Sequence, residues 1–214
     1  MPLRPTLILI VLILASLGFY ISLNKNPQLT NSDKKAATPN IEKRFPVVVA
    51  FGGSLTEGMG ASSDNDFISL LGKRTEVPII NKGVGGDTTE LALARIDDIT
   101  SLKPDIVLVL LGGNDYLQQV PKPTTVRNLE EIITLLQKNG SQIILVGIST
   151  SNNNFDSEFK RISETYGTFY VPNIFDGIIT NPDLMSDAVH PNNNGYKIIA
   201  DRIYPKLVEA LETL

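Results

Sequence analysis

The stretch DIVLVLLGGNDY, residues 105–116, decides the fold. The apolar residues Ile106 to Leu111 follow one another without alternation, so neither face of the strand they form is left for water. A strand covered on both faces belongs in the middle of a parallel sheet with helices above and below. The run then breaks into Gly112, Gly113, Asn114 and Asp115, a turn composition that carries polar groups out beyond the carboxyl end of the strand.

Working outward, short β-branched runs predict strands at Val47–Phe51, Ile79–Asn81, Asp105–Leu111, Gln142–Ile148 and Phe169–Val171. Between them lie helical patterns at Phe67–Arg74, Thr88–Ser101, Thr124–Lys138 and Ser157–Tyr166, with a final one from Gly195 to about Leu211. Strands that alternate with helices imply an α/β domain on one parallel sheet, here spanning residues 45–214. Parallel α/β sheets hold their sites beyond the carboxyl ends of the strands. The loops found there read FGGSLTEG (51–58), NKGVGGDTT (81–89), LGGNDY (111–116) and SDAVHPNNNGY (186–196). Phosphate cradling fits them poorly: Gly53 and Gly58 have Walker spacing, but Met59 stands where the pattern needs lysine, and G-x-G-x-x-G is absent from the first strand turn.

Composition removes several classes of chemistry. The 214 residues include no cysteine and one histidine, which excludes thiolate nucleophiles, iron–sulfur clusters and zinc-finger or multi-histidine sites. No metal or organic cofactor is expected. Residues 1–44 hold six cationic residues against Asp33 and Glu42, a net of +4; the chain total is −4, so residues 45–214 carry −8. An acidic domain lacks the footprint for a phosphate backbone, and nucleic acid is not an expected partner.

Residues 7–23, LILIVLILASLGFYISL, form an uncharged run of 17 residues after Arg4. As a helix the run would rise about 26 Å, close to the roughly 30 Å hydrocarbon core of a bilayer. Residues 1–23 are therefore expected to be a membrane anchor or signal segment, with residues 24–44, polar and containing Pro27 and Pro39, as a tether. The expectation is an uncleaved anchor with an extracytoplasmic, periplasmic domain. Ala15, Ser16 and Gly18 match a cleavage site poorly, although cleavage would give a secreted protein instead. Lys25, Lys34 and Lys35 beyond the run weigh against export.

Ser54 follows the first strand of the domain, and a serine hydroxyl needs a neighbouring base to act as a nucleophile. The base available is His190, with Asp187 three residues ahead of it, a spacing that lets one loop hold a carboxylate against the imidazole. Gly86 offers an unobstructed backbone N–H and Asn114 a neutral amide for a developing oxyanion. Taken singly, each residue also suits a cap or a turn: Gly85-Gly86 a tight turn, Asp87 a helix cap, Asn114 a loop position. The order Ser, Asp, His also occurs in α/β-hydrolases, but their G-x-S-x-G elbow is broken here by Thr56.

The four loops together resemble the four blocks of the SGNH (GDSL-type) hydrolase family, in the right order across residues 46–200. The matching positions are Gly52, Ser54 and Leu55; Gly86-Asp87-Thr88; Gly112-Gly113-Asn114-Asp115; and Asp187, His190 and Pro191. The wording is similar to that of the bacterial arylesterase, lysophospholipase and acyl-thioesterase group. The resemblance implies a three-layer α/β/α sandwich with a five-stranded parallel sheet, flavodoxin-like. It also implies an oxyanion hole from the Ser54 and Gly86 N–H groups and the Asn114 side chain, and hydrolysis of esters or thioesters through an acyl-enzyme. One position departs: the family has Asp before the serine where this chain has Gly53, which is expected to leave Ser54 less rigidly placed. Tyr116, Leu117 and Val120, after the asparagine block, and Phe155 in SNNNFD are the expected walls of a substrate site. The expected substrate is a small-molecule or lipid ester. The alternatives are an O-acetyl esterase of cell-envelope polysaccharide and, from another class, a membrane-tethered binding module with little turnover.

Overall fold

The computed structural model of the protein describes residues 45–149 and 155–214. The expected anchor (1–23) and tether (24–44) lie outside the described residues. Among the described residues, no helix is long and apolar enough to cross a membrane.

Five parallel strands form one sheet: β1 (Val48–Gly52), β2 (Ile79–Gly83), β3 (Ile106–Leu110), β4 (Gln142–Val146) and β5 (Phe169–Val171), in the order β2-β1-β3-β4-β5. The helices are α1 (Ser54–Glu57), α2 (Phe67–Thr75), α3 (Thr89–Ala94), α4 (Asp97–Thr100), α5 (Gly113–Leu117), α6 (Lys122–Lys138), α7 (Asp156–Tyr166) and α8 (Asn193–Glu212). One helical layer pairs α2 with α8, where the Phe67 and Tyr196 rings stack at 6.2 Å. The other groups α3, α6 and α7. This is the doubly wound, three-layer architecture that the sequence pattern and the family resemblance imply.

Every residue of β1 and β3 is buried, as the unbroken apolar run requires, and edge strand β2 is largely open to solvent. Burying each such Val, Leu or Ile contributes on the order of 1.5–3 kcal/mol, which makes the centre of the sheet the stable platform of the molecule. In the register of the sheet, Gly52 pairs with both Gly83 and Leu110, so β1, β2 and β3 end level. Their three following loops therefore leave from one edge, and the strand order reverses between β1 and β3, where ligands bind in folds of this type.

Two features differ from the sequence pattern. The helix expected over Thr88–Ser101 is interrupted, and Arg95 lies between α3 and α4 with φ −113°. Its guanidinium is drawn inward to Asp87 and to the carbonyls of Gly52 and Lys82, and the backbone turns to follow it. The loops after β1 and β3 are not irregular either: each winds at once into a short helix, α1 and α5, that begins at the site.

Candidate active site

Ser54 is the first residue of α1, half-buried at the end of a fully buried strand. His190 arrives from the other end of the domain, on a loop closed by the bridge between Met185 and Pro191 and by Ser186 N donating to the His190 carbonyl at 2.8 Å. Asn192 caps α8 just beyond, accepting from the N–H groups of Asn194 and Gly195, so the loop is held at both ends. His190 Nε2 lies 3.0 Å from Ser54 Oγ, and its Nδ1 lies 2.8 Å from Asp187 Oδ2. The other carboxylate oxygen, Oδ1, accepts the N–H groups of Val189 and His190, each at 2.8 Å. The Val189 N–H bond, then the imidazole and the His190 N–H, hold the Asp187 carboxyl at about 2, well below the usual carboxylate range. A carboxylate that stays ionised can only accept, so Nδ1 carries the ring proton and Nε2 is free to take one from Ser54.

Opposite the imidazole, Gly86 is exposed with φ +85°, a conformation that favours glycine, and a Cβ there would meet nothing within 4 Å. Asn114, in the first turn of α5, donates from Nδ2 to the Asp87 carbonyl at 2.9 Å, which leaves its second N–H uncommitted by that bond. Gly53 is a close approach: a Cβ built on it would lie 2.8 Å from Asn114 Nδ2. The missing side chain at 53 thus makes room for the amide, a consequence that the family comparison of the serine block does not contain.

Two buried polar arrangements brace these loops. Asp87 does not cap α3; Thr88 does, accepting from Leu91 N, and Asp87 instead meets Arg95, with Oδ2 2.7 Å from Nε and 2.6 Å from an Nη. Arg95 also donates to the Gly52 carbonyl at 3.3 Å and the Lys82 carbonyl at 3.0 Å, with its guanidinium 4.7 Å from the centre of the Phe51 ring. One cation thereby ties the ends of β1 and β2 to the glycine block. Asp115 is fully buried and accepts from Thr89 N at 2.9 Å, Thr89 Oγ1 at 2.5 Å and Thr125 Oγ1 at 3.2 Å, fixing α5 to α3 and α6.

These groups line one cleft of about 970 Å³ that runs along the carboxyl edge of the sheet. Tyr116 and Leu117 line it and are exposed, as expected of a substrate wall. Val120 and Phe155 do not line it. The Val120 N–H turns back to the Asp115 carbonyl at 2.8 Å, and Phe155 is buried against Phe159, with ring centres 5.7 Å apart. Neither residue is therefore part of the cleft wall, Phe155 because its ring is buried beside α7. In their place stand Ile148 beyond β4 and Phe175 and Ile179 beyond β5. Ile148 was reachable from sequence, as it follows the carboxyl end of an apolar strand; the other two follow the shortest strand, and only packing brings them in. Among the described residues, no group of three or more His, Cys, Asp or Glu is placed to hold a metal ion.

A hydroxyl, an imidazole and a carboxylate in one hydrogen-bonded row, facing amide donors across a cleft, is an arrangement suited to acyl transfer. Residues 50–198 match the model of the GDSL-like lipase/acylhydrolase family, and the chain belongs to that family. It is a carboxylic ester hydrolase. The arylesterase of Vibrio mimicus is 28% identical over 178 residues, 77% of this chain and 89% of the relative. Thioesterase 1/protease 1/lysophospholipase L1 of Escherichia coli strain K12 is 25% identical over 165 residues, 72% of this chain and 79% of the relative. The crystal structure of AlinE4, an SGNH-hydrolase family esterase, superposes with a TM-score of 0.62 at 30% identity, covering 78% of this chain and 97% of AlinE4.

Proposed function

We propose that Ser54 is the nucleophile, His190 the base and Asp187 the residue that orients it, acting on esters of hydrocarbon-chain acids. The Ser54 proton passes to His190 Nε2 as Oγ bonds to the acyl carbon. The carbonyl oxygen takes up negative charge against the N–H groups of Ser54 and Gly86 and the Asn114 amide. Collapse breaks the bond to the alcohol or thiol, which leaves with the proton from His190, and water delivered through the same imidazole releases the acid. The observation that carries this reading is the continuous contact from Ser54 through His190 to Asp187.

The acyl chain is assigned to the end of the cleft beyond β3 and β4, where Leu111, Ile148, Phe175 and Ile179 supply an apolar lining. The names of the arylesterase and lysophospholipase relatives support an acyl ester or thioester. The apolar run at residues 7–23 supports a membrane-anchored, extracytoplasmic domain 45–214 on a tether at 24–44, with lipid-like esters within reach. The test is Ser54→Ala with a series of p-nitrophenyl esters. The parent should prefer a medium chain to acetate and be labelled at Ser54 by a fluorophosphonate, and the variant should be folded and inactive. A variant as active as the parent removes the assignment.

A further inference from the structure

Exposed apolar side chains scattered singly over a protein surface carry no message, but a cluster of them marks a contact. Of the eight large apolar residues exposed among the described residues, four stand around the mouth of the cleft. Met59 and Val84 lie on its β2 side and Tyr116 and Leu117 beyond β3, each between 39% and 55% exposed. The two pairs form one rim. Met59 lies over the loop after β2, its Sδ 3.6 Å from a Cβ built on Gly85, next to Val84. Gln118, just past α5, donates to the Gly86 carbonyl at 3.3 Å and ties the end of that helix to the same loop. The backbone beneath is fixed: Tyr196 donates to the Met59 carbonyl at 2.7 Å, and Val84 N donates to the Gly52 carbonyl at 3.0 Å. Charge beside the rim is of one sign. Glu57 is exposed in the cleft wall, no lysine or arginine lines the cleft among the described residues, and residues 45–214 carry −8.

The chain ahead of the domain points to what covers this rim. Residues 7–23 are the uncharged apolar run, and residues 24–44 join it to Phe45, which precedes β1 at the amino edge of the sheet, opposite the cleft. Those 21 residues reach at most about 70 Å. A domain of 170 residues is about 40 Å across, so attachment at the amino edge still allows the carboxyl edge to meet the surface that holds the run. Four side chains are too few to keep a free domain on a bilayer, but beside an anchor they bind as an intramolecular contact at high effective concentration.

We infer that Met59, Val84, Tyr116 and Leu117 form a docking rim for a lipid surface without net negative charge, which seats the cleft mouth on the bilayer and lets a lipid-like ester pass to Ser54 without crossing water. An anionic surface is disfavoured because Glu57 and the acidic domain would face like charge. The inference rests on the anchored placement proposed above and goes beyond the hydrolase reading, since docking needs no turnover.

The chain contains no tryptophan, so one introduced on the rim is a unique probe. The full chain carrying Met59→Trp, with Ser54→Ala to keep the lipid intact, is reconstituted into phosphatidylcholine vesicles brominated on the acyl chains. Its emission should be about two-fold weaker than in unbrominated vesicles, as for a ring at the headgroup boundary. Ile80→Trp, at an exposed position of edge strand β2 outside the cleft, should not be quenched. Adding Tyr116→Ser and Leu117→Ser to Met59→Trp should remove most of its quenching. The reciprocal set, Leu117→Trp with Met59→Ser and Val84→Ser, should behave alike and covers the case in which one combination fails to fold. Exchanging part of the phosphatidylcholine for phosphatidylglycerol should weaken the quenching, and salt should restore it. Equal quenching of Ile80→Trp overturns the inference, because the domain then adsorbs without using the rim. Unquenched rim probes in chains that float with the vesicles overturn it too, as does a chain that does not float with them. Unquenched probes that respond instead to chain concentration give the rim to a second copy, and quenching that strengthens on phosphatidylglycerol overturns the choice of surface. Turnover of a water-soluble p-nitrophenyl ester by the chain with Ser54 intact scores the hydrolase reading separately.

Discussion

Replacing Gly53 with alanine puts a methyl carbon 2.8 Å from Nδ2 of Asn114. Non-bonded carbon and nitrogen settle at about 3.5 Å, so one of the two must give by about 0.7 Å. The backbone at 53 is the less able to move. Its carbonyl accepts Glu57 N at 3.0 Å, and the preceding carbonyl of Gly52 accepts Val84 N at 3.0 Å and Arg95. Its φ of −92° is open to alanine, so the backbone conformation adds no penalty of the left-handed kind. The Asn114 amide therefore swings, and its 2.9 Å bond to the Asp87 carbonyl stretches toward the limit of a hydrogen bond. In the oxyanion role proposed for Asn114, complete loss of the donor would cost on the order of 10²–10³ in turnover, so a donor displaced but still present should cost about ten-fold. The loss should fall on kcat and spare KM, because the donor acts on charge that develops only in the transition state. Gly53→Asp restores the family wording but should do no better, since its Cβ meets the same nitrogen and its carboxylate adds negative charge beside the oxyanion. Steady-state hydrolysis of a neutral p-nitrophenyl ester reads the effect, and the double variant with Asn114→Ala shows its route: it should be no slower than Asn114→Ala alone. A Gly53→Ala enzyme with the parent kcat, or a Gly53→Asp enzyme faster than the parent, refutes the reasoning.

Asp187→Asn should lower kcat by about 10³–10⁴, because an amide in that place stabilises the wrong imidazole tautomer; steady-state kinetics on the same ester reads it. The Asp187 carboxyl is held low, so its contribution to stability is complete above its unfolded value of about 4 and disappears as pH falls through about 2. Urea unfolding should accordingly show Asp187→Asn losing less stability than the parent across that acid window, and parallel acid limbs would contradict it. Arg95→Met strands the Asp87 carboxylate, whose side chain is 8% exposed, and frees the carbonyls of Gly52 and Lys82. It should destabilise the domain by about 3 kcal/mol in chemical denaturation; a change below about 1 kcal/mol would mean the pair is solvated rather than structural.

Much of the site was legible because the chemistry sits in short contiguous words. The run from Ile106 to Leu111 announces a buried parallel strand by hydrophobicity alone, and the Asp187-to-His190 spacing lies within one loop, so no tertiary information is needed to pair them. The strand limits shifted by one or two residues, since hydrogen-bonded register ends a strand and hydropathy does not. Arg95 escaped notice because a cation in a helical pattern reads as a solvated face. Its role appears only when the ends of β1 and β2 bring two carbonyls and Asp87 around it.

What the sequence determined by itself is the order of elements and the set of groups proposed to react, properties written in local pattern and residue chemistry. Tertiary structure decided which side chains face the cleft. Tyr116 and Leu117 line it, while Val120, only a few residues further along the same loop, does not, and Phe155 is buried against Phe159. It also decided that the space left by the absent side chain at position 53 is filled by the Asn114 amide. Each of these depends on distances between segments from separate strands. Such distances are set by how the layers pack, and no spacing along one chain segment encodes them.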